Sequence, residues 1–133
     1  MEDRSGPSRP IRRARAGFPA DLLSAARARS FVGDLCRTWG VPGTALDAEM
    51  VVTELVENAV RHSRSDCDVS VALSDSTLTI GVGDHGPQPP RLLHPQPDHP
   101  GGRGLLMVQN LSRRWGYREA ADGKVVWADL CVV

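Results

Sequence analysis

Two hydrophobic periods divide this chain. Ala28, Val32, Leu35, Cys36 and Trp39 recur at the intervals of one helical face, and Asp21 ahead of them can serve as the helix cap. Gly40 and Pro42 stop that helix at about Trp39. A second stripe, Val52, Leu55, Val56, Ala59 and Val60, predicts a helix that opens at Thr44 or Asp47 and runs to about Ser63. Its other side carries Glu54, Glu57, Asn58 and Arg61. From Cys67 the period drops to two. Cys67, Val69, Val71 and Leu73 alternate with Asp68, Ser70, Ala72 and Ser74, and after a Ser74-Asp75-Ser76 turn Leu78, Ile80 and Val82 alternate again, which predicts an antiparallel hairpin.

The hairpin runs straight into Gly83-Asp84-His85-Gly86-Pro87. Between Gly86 and Gly104 the prolines at 87, 89, 90, 95, 97 and 100 leave no room for a regular element, so a long loop is expected, of the kind that is usually functional or disordered. Leu105 to about Leu111 predicts a short apolar helix entered from glycines, with Arg113 and Arg114 near its C-terminal end, where cations suit the helix dipole. Trp115 to Glu119 and Val125 to Val133, joined through Ala121-Asp122-Gly123, predict a final hairpin. This order of elements implies an α+β fold, a two-layer sandwich with one sheet covered on one face by helices. Residues 1–17 hold five arginines, two prolines and little that is apolar, which predicts a flexible basic arm ahead of a single domain over 18–133.

Composition narrows the function. The 133 residues, 41% hydrophobic and 24% charged, suffice for one soluble domain with its own core. Sixteen basic side chains balance sixteen acidic ones, so no bulk field holds nucleic acid or an anionic membrane, and function must come from a site. Arg9, Arg12, Arg13 and Arg15 lack the interleaved aromatics of a nucleic-acid surface. No apolar run approaches the roughly 18 residues of a membrane helix, and the N-terminus lacks the apolar stretch of a signal peptide, which implies a cytoplasmic protein off the membrane. Cys36, Cys67 and Cys131 are odd in number and widely spaced, as expected of reduced, mostly buried thiols. Lys124, the one lysine of the chain, sits after a turn, which excludes a Walker A loop and the lysine of eukaryotic-type kinases.

Three constellations carry chemistry. Glu54 and Asn58 are four apart and share a helix face. An amide oxygen is a hard neutral ligand suited to Mg²⁺, and a carboxylate one turn away can deprotonate a hydroxyl or water; a merely solvated helix face is the plainer alternative. Asp84 ends a strand with Gly86 two residues on, where backbone can come close to a flat ligand and a buried carboxylate can accept from an amino group such as that of adenine; an ordinary turn is the alternative. Gly101-Gly102-Arg103-Gly104 ahead of the helix at Leu105 offers free N–H groups, the positive dipole end and a guanidinium to an anion, or is simply a glycine-rich linker. His85, His94 and His99 with Asp98 have zinc-ligand chemistry but the spacing of no tight motif.

Taken together and in order, TELVENAVRHS (Thr53 to Ser63), GDHG (Gly83 to Gly86) and GGRGLLMV (Gly101 to Val108) resemble the N, G1 and G2 boxes of the GHKL ATPase superfamily. The resemblance spans essentially the whole chain after the basic arm. In length, in Trp115-Gly116 and in the ending GKVVWADL it is most similar to the small bacterial anti-sigma-factor serine kinases and their ATP-binding regulatory relatives. A sensor histidine kinase is disfavoured, because this length leaves no room for phosphoacceptor helices ahead of the second helix.

The resemblance implies the Bergerat ATP-binding fold, with a mixed, mostly antiparallel sheet, and ATP with Mg²⁺ as cofactors. It implies Glu54 as general base, Asn58 as Mg²⁺ ligand, Asp84 as adenine reader and Gly86 as the glycine beside the base. Gly102 and Gly104 would let a lid wrap the phosphates, Arg103 would be a lid cation, Leu105 would open the helix behind them, and Arg61 would lie near phosphate. The implied partners are a sigma factor, which the protein sequesters, and an antagonist protein phosphorylated on serine; a homodimer is a further expectation. Two departures stand out. Glu57 replaces the threonine usual in those kinases, and Pro87-Gln88 follows Gly86 where a second glycine is usual. Glu57 favours the alternative of a nucleotide-gated protein-binding module without significant kinase activity.

Overall fold

The structure, a computed structural model, describes the backbone of residues 11–86 and 100–133 and the side chains of residues 11–86 and 106–133. Helix α1 (Ser24–Thr38) forms where the first stripe predicts and buries Ala28, Val32 and Cys36. Asp21 caps the turn ahead of it: Leu23 N donates to the Asp21 carboxylate at 2.6 Å and Ser24 N to its carbonyl at 3.1 Å. Helix α2 (Ala45–Asn58) begins directly after Thr44, one of the two starts expected, and buries Val51, Val52, Leu55 and Val56. Glu49 clamps the two helices together, its carboxylate accepting from Arg37 at 3.2 Å. Beyond Asn58 the helix widens into a π turn, Ala59–Ser63, and ends at Arg64 in the left-handed region with φ 51°.

Strands β2 (Cys67–Ser74) and β3 (Thr77–Asp84) form the central hairpin, and β4 (Arg114–Ala120) and β5 (Gly123–Cys131) the last one. The first residues depart from expectation. Arg12–Phe18, all but its last residue expected within the flexible arm, is a strand, β1, paired antiparallel with β2 from Arg12↔Leu73 to Phe18↔Cys67. Its alternation explains this: Ala14, Ala16 and Phe18 are half-buried, while the intervening residues are exposed. Phe18 meets Phe31 of α1 edge to face, ring centroids 6.2 Å apart. The sheet runs in the order β1-β2-β3-β5-β4, and each of its four pairings is antiparallel. Both edge strands carry arginines, a composition that discourages further strand addition.

The register separates two faces. Val69↔Val82, Val71↔Ile80, Ile80↔Ala128, Val82↔Val126 and Leu78↔Leu130 line up under the helices, and all of these side chains are buried. α2 packs against α1 and touches β3 and β5, while α3 (Pro100–Leu111) lies against α2 and β4. The result is the expected α+β sandwich, a sheet with helices over one face. On the other face Asp129 accepts from the Thr79 hydroxyl at 2.7 Å and from Arg114 at 3.1 Å, and the Arg114 guanidinium lies 5.9 Å from the Trp127 ring centroid.

Candidate functional site

The period that buries Leu55 and Val56 leaves Glu54, Glu57 and Asn58 partly exposed along α2, and Arg61 exposed on the π turn that follows. Burial pushes the Glu54 carboxyl up to about 7 from an ordinary 4.5; repulsion from Glu57 adds to this and attraction to Arg61 opposes it. A carboxyl that titrates there is poised to exchange protons near neutral pH. One turn further on, Asn58 Oδ1 is buried and has no hydrogen-bond partner among the described residues. Such an orphaned acceptor costs roughly 1–3 kcal/mol. A neutral amide oxygen is also the donor type that Mg²⁺ accepts beside water and phosphate oxygens, so this atom fits the metal the sequence implies. Among the described residues no cluster of three or more His, Cys, Asp and Glu side chains is gathered for a metal ion.

Glu57 and Arg61, with Val60 and Arg64, also line a cleft of about 250 Å³ whose opposite wall is Leu22 and Ala25 at the start of α1.

A second cluster forms where the covered row of the sheet reaches its end. The apolar pairs Ile80↔Ala128 and Val82↔Val126 are followed by Asp84↔Lys124, so parity alone sends both charged side chains to the helix side. Asp84 Oδ1 accepts from Lys124 Nζ at 2.9 Å and from Gly86 N at 2.8 Å. The two side chains are 2% and 8% exposed. Lys124 Nζ donates also to Ser63 Oγ, 3.1 Å away, at the last residue of the π turn. That turn therefore ties the Asn58 end of α2 to the Asp84 end of β3, in the manner of π bulges that mark functional sites. Gly86 packs directly against the Ser63 side chain. Gly123 brings β5 so close to β3 that a methyl group there would lie 2.7 Å from His85 Cα, and this approach carries Lys124 to Asp84.

The outer side of this strand end opens a cleft of about 420 Å³, lined by Gly83, His85 and Gly123 with Arg15 and Arg118 from the edge strands. Lys124 and Ser63 had no part in the expected site. The alternation of Lys124 with Val126, Ala128 and Leu130 was the available signal, because it marks the lysine as facing the core.

The third constellation is altered. α3 begins at Pro100, so Gly102, Arg103 and Gly104 lie inside the helix rather than ahead of it and Leu105 lies beyond its first turn rather than at its start; the side chains of these four lie outside those described. Proline suits the first helical position because its missing N–H has no helical partner there. Pro87 and Gln88, and His94, Asp98 and His99, also lie outside the described residues.

A family model, the histidine kinase-like ATPase domain, matches residues 18–130. The chain belongs to that family. This histidine kinase-like ATPase domain has the α+β sandwich of the Bergerat ATP-binding fold. A comparison with curated proteins found no match. Among solved structures it is similar to the RsbU and RsbW domains of Rv1364c from Mycobacterium tuberculosis, with 20% identity and a TM-score of 0.70 over 91% of this chain. It is also similar to the histidine kinase domain of the blue-light activated histidine kinase EL346 from Erythrobacter litoralis, with 20% identity and a TM-score of 0.56 over 86% of this chain. The ATPase domain spans 32% of the first of these structures and 61% of the second. At this identity the likeness is one of fold. Among its described residues no helix is long and apolar enough to cross a membrane.

Proposed function

We propose that this ATPase domain binds Mg²⁺ and ATP between α2, β3 and α3 and works as a cytoplasmic regulatory kinase of the anti-sigma-factor type. It would sequester a sigma factor and phosphorylate a serine of an antagonist protein. The observation that carries the nucleotide reading is Asn58 Oδ1, a buried hard acceptor without a partner among the described residues, one turn from a carboxyl that titrates at about 7. Mg²⁺, when bound, supplies positive charge to the phosphate oxygens, and Asn58 would hold it. Glu54 takes the proton of the attacking serine hydroxyl as that oxygen bonds to the γ-phosphorus, and the bond from the γ-phosphorus to its bridging oxygen breaks to leave ADP. Asp84 and Gly86 form the base end of the site. The family resemblance puts Gly102, Arg103, Gly104 and Leu105 at its phosphate end, where the N–H groups free of helical partners are those of the first turn, ahead of Gly104. Arg61, exposed on the π turn after α2, is a further cation for phosphate. The sigma factor, the antagonist and a homodimer follow from the family resemblance.

A specific observation favours a second reading, a nucleotide-gated protein-binding module with little phosphotransfer. Glu57 stands close enough to Glu54 to raise its pKa, and a second carboxylate there also repels phosphate. Transfer of radiolabelled phosphate from ATP to a purified antagonist separates the two. Transfer abolished by Glu54→Gln supports the kinase; Mg²⁺-dependent ATP binding with no transfer supports the module.

A further inference from the structure

The Asp84 carboxylate is held by one oxygen. Oδ1 accepts from Gly86 N at 2.8 Å and from Lys124 Nζ at 2.9 Å, whereas Oδ2 accepts from no described residue. Both oxygens of a carboxylate carry lone pairs, so the acceptor capacity that remains is that of Oδ2. The two donors constrain Asp84 differently. Gly86 N, two residues on in the chain, fixes where Oδ1 sits, but a single bond of that kind lets the carboxylate turn about it. The ammonium adds a second direction and a charge-assisted bond. Lys124 is itself anchored: its Nζ donates to Ser63 Oγ at 3.1 Å, 8% of its side chain is exposed, and the close approach at Gly123 sets its strand against β3. With the ammonium removed, a carboxylate that is 2% exposed loses its counter-charge and one of its two bonds, and it turns toward whatever donor it can reach.

Resting on the nucleotide reading above, we infer that Lys124 is a positioning residue for base recognition: by fixing Oδ1 it keeps Oδ2 as a preset acceptor for the amino group of a 6-aminopurine. It touches no part of the nucleotide in this role. A group that never meets the ligand adds to selectivity through pre-organisation, because an acceptor already in place needs no reordering when the base arrives. An acceptor set for an N–H group rejects the analogue that lacks it, since the acceptor is then left unpaired. One that is free to turn finds another partner and rejects that analogue less. Ser63 acts one step further out, through Lys124, and so joins the π turn after Asn58 to the base end of the site.

The test is a cycle in which the ligand and the protein each lose one group. Mg²⁺ with ATP, and Mg²⁺ with purine riboside triphosphate, which is ATP without its exocyclic amine, are titrated calorimetrically into the wild type, Lys124→Met and Ser63→Ala. The wild type is expected to favour ATP by about tenfold or more. In Lys124→Met that preference falls to within about threefold through loss of ATP affinity, while purine riboside triphosphate binds the variant about as well as the wild type. Ser63→Ala keeps the ion pair but loosens the ammonium, and its preference is expected to fall by about threefold. A wild type that binds the two nucleotides alike overturns the inference and leaves the nucleotide reading standing. So do variants that keep the wild-type preference or weaken both nucleotides by the same factor, as a merely structural lysine would. If neither nucleotide binds the wild type, the nucleotide reading falls and this inference with it. If Lys124→Met does not fold, the ratio in Ser63→Ala decides the matter.

Discussion

Glu57 stands three residues beyond Glu54 on α2, and its negative charge adds to burial in lifting the Glu54 carboxyl to about 7. Arg61 pulls the other way. Burial thus does most to raise the proton affinity of the candidate general base, and the neighbouring charges of Glu57 and Arg61 adjust it. Glu57→Gln is expected to lower the Glu54 midpoint and Arg61→Gln to raise it, as followed by carboxyl-carbon NMR across pH. Midpoints that stay fixed in both variants would show that burial alone sets the value.

The same shift has a consequence for folding. Because the folded pKa of about 7 lies above the ordinary 4.5, the folded chain holds a proton over that range that the unfolded chain has released. Glu54 therefore lowers stability progressively as pH rises from about 4.5 to about 7, and the full penalty persists above. Glu54→Gln is expected to melt near the wild-type temperature at the acid end and above it at pH 8, with the gap opening between. A gap that does not change with pH contradicts the assignment.

Asp84 and Lys124 are both nearly excluded from water, so removing one charge leaves the other unpaired. Asp84→Asn or Lys124→Met alone is expected to cost about 3–5 kcal/mol in urea unfolding. The double variant should cost clearly less than the sum of the two, because no orphan charge remains. Additive losses would mean that the pair is not coupled.

On the uncovered face, Asp129→Ala strips the Thr79 hydroxyl and the Arg114 guanidinium of a shared acceptor. A loss of about 1–3 kcal/mol is expected, measured by denaturant midpoint. A change of a few tenths would mark the bridge as solvent-screened.

The three cysteines differ in reactivity. Burial pushes Cys67 up to about 11, helped by Asp68, Asp84 and Asp66, and burial with Glu49 raises Cys36 against the pull of Arg37. Cys131 is exposed. The native chain should release one equivalent of thiol chromophore at pH 8 and all three only when unfolded. Release of a second equivalent from the native state would place Cys36 or Cys67 within reach of solvent.

Much of this architecture is legible in the sequence because it is written in local periods. The stripe from Ala28 to Trp39 and the alternation from Cys67 to Val82 each bury the face they predict, apart from Leu73, Leu35 and Trp39, which are partly covered. Strand β1 escaped because arginine dominates its composition, although Ala14, Ala16 and Phe18 keep the period of two. α3 begins earlier than expected because Pro100 and three glycines weigh against a helix in local propensity, even though proline fits its first position. For the candidate site, Glu54, Asn58 and Asp84 are visible from spacing and motif. For Lys124 the alternation marks only its inward face; its pairing with Asp84 is not visible, since that partner lies 40 residues away and only the register of β3 with β5 joins them.

The claim on which the functional account rests is that Asn58 serves a magnesium-bound nucleotide. The most direct measurement is the thermal midpoint of the wild type and of Asn58→Ala with millimolar ATP, each with and without Mg²⁺. A ligand at about a hundred times its dissociation constant stabilises the folded state by about 2.7 kcal/mol. A rise in the wild-type midpoint that needs Mg²⁺ and is mostly lost in Asn58→Ala is expected. An unmoved wild type, or an equal rise in the variant, would contradict it.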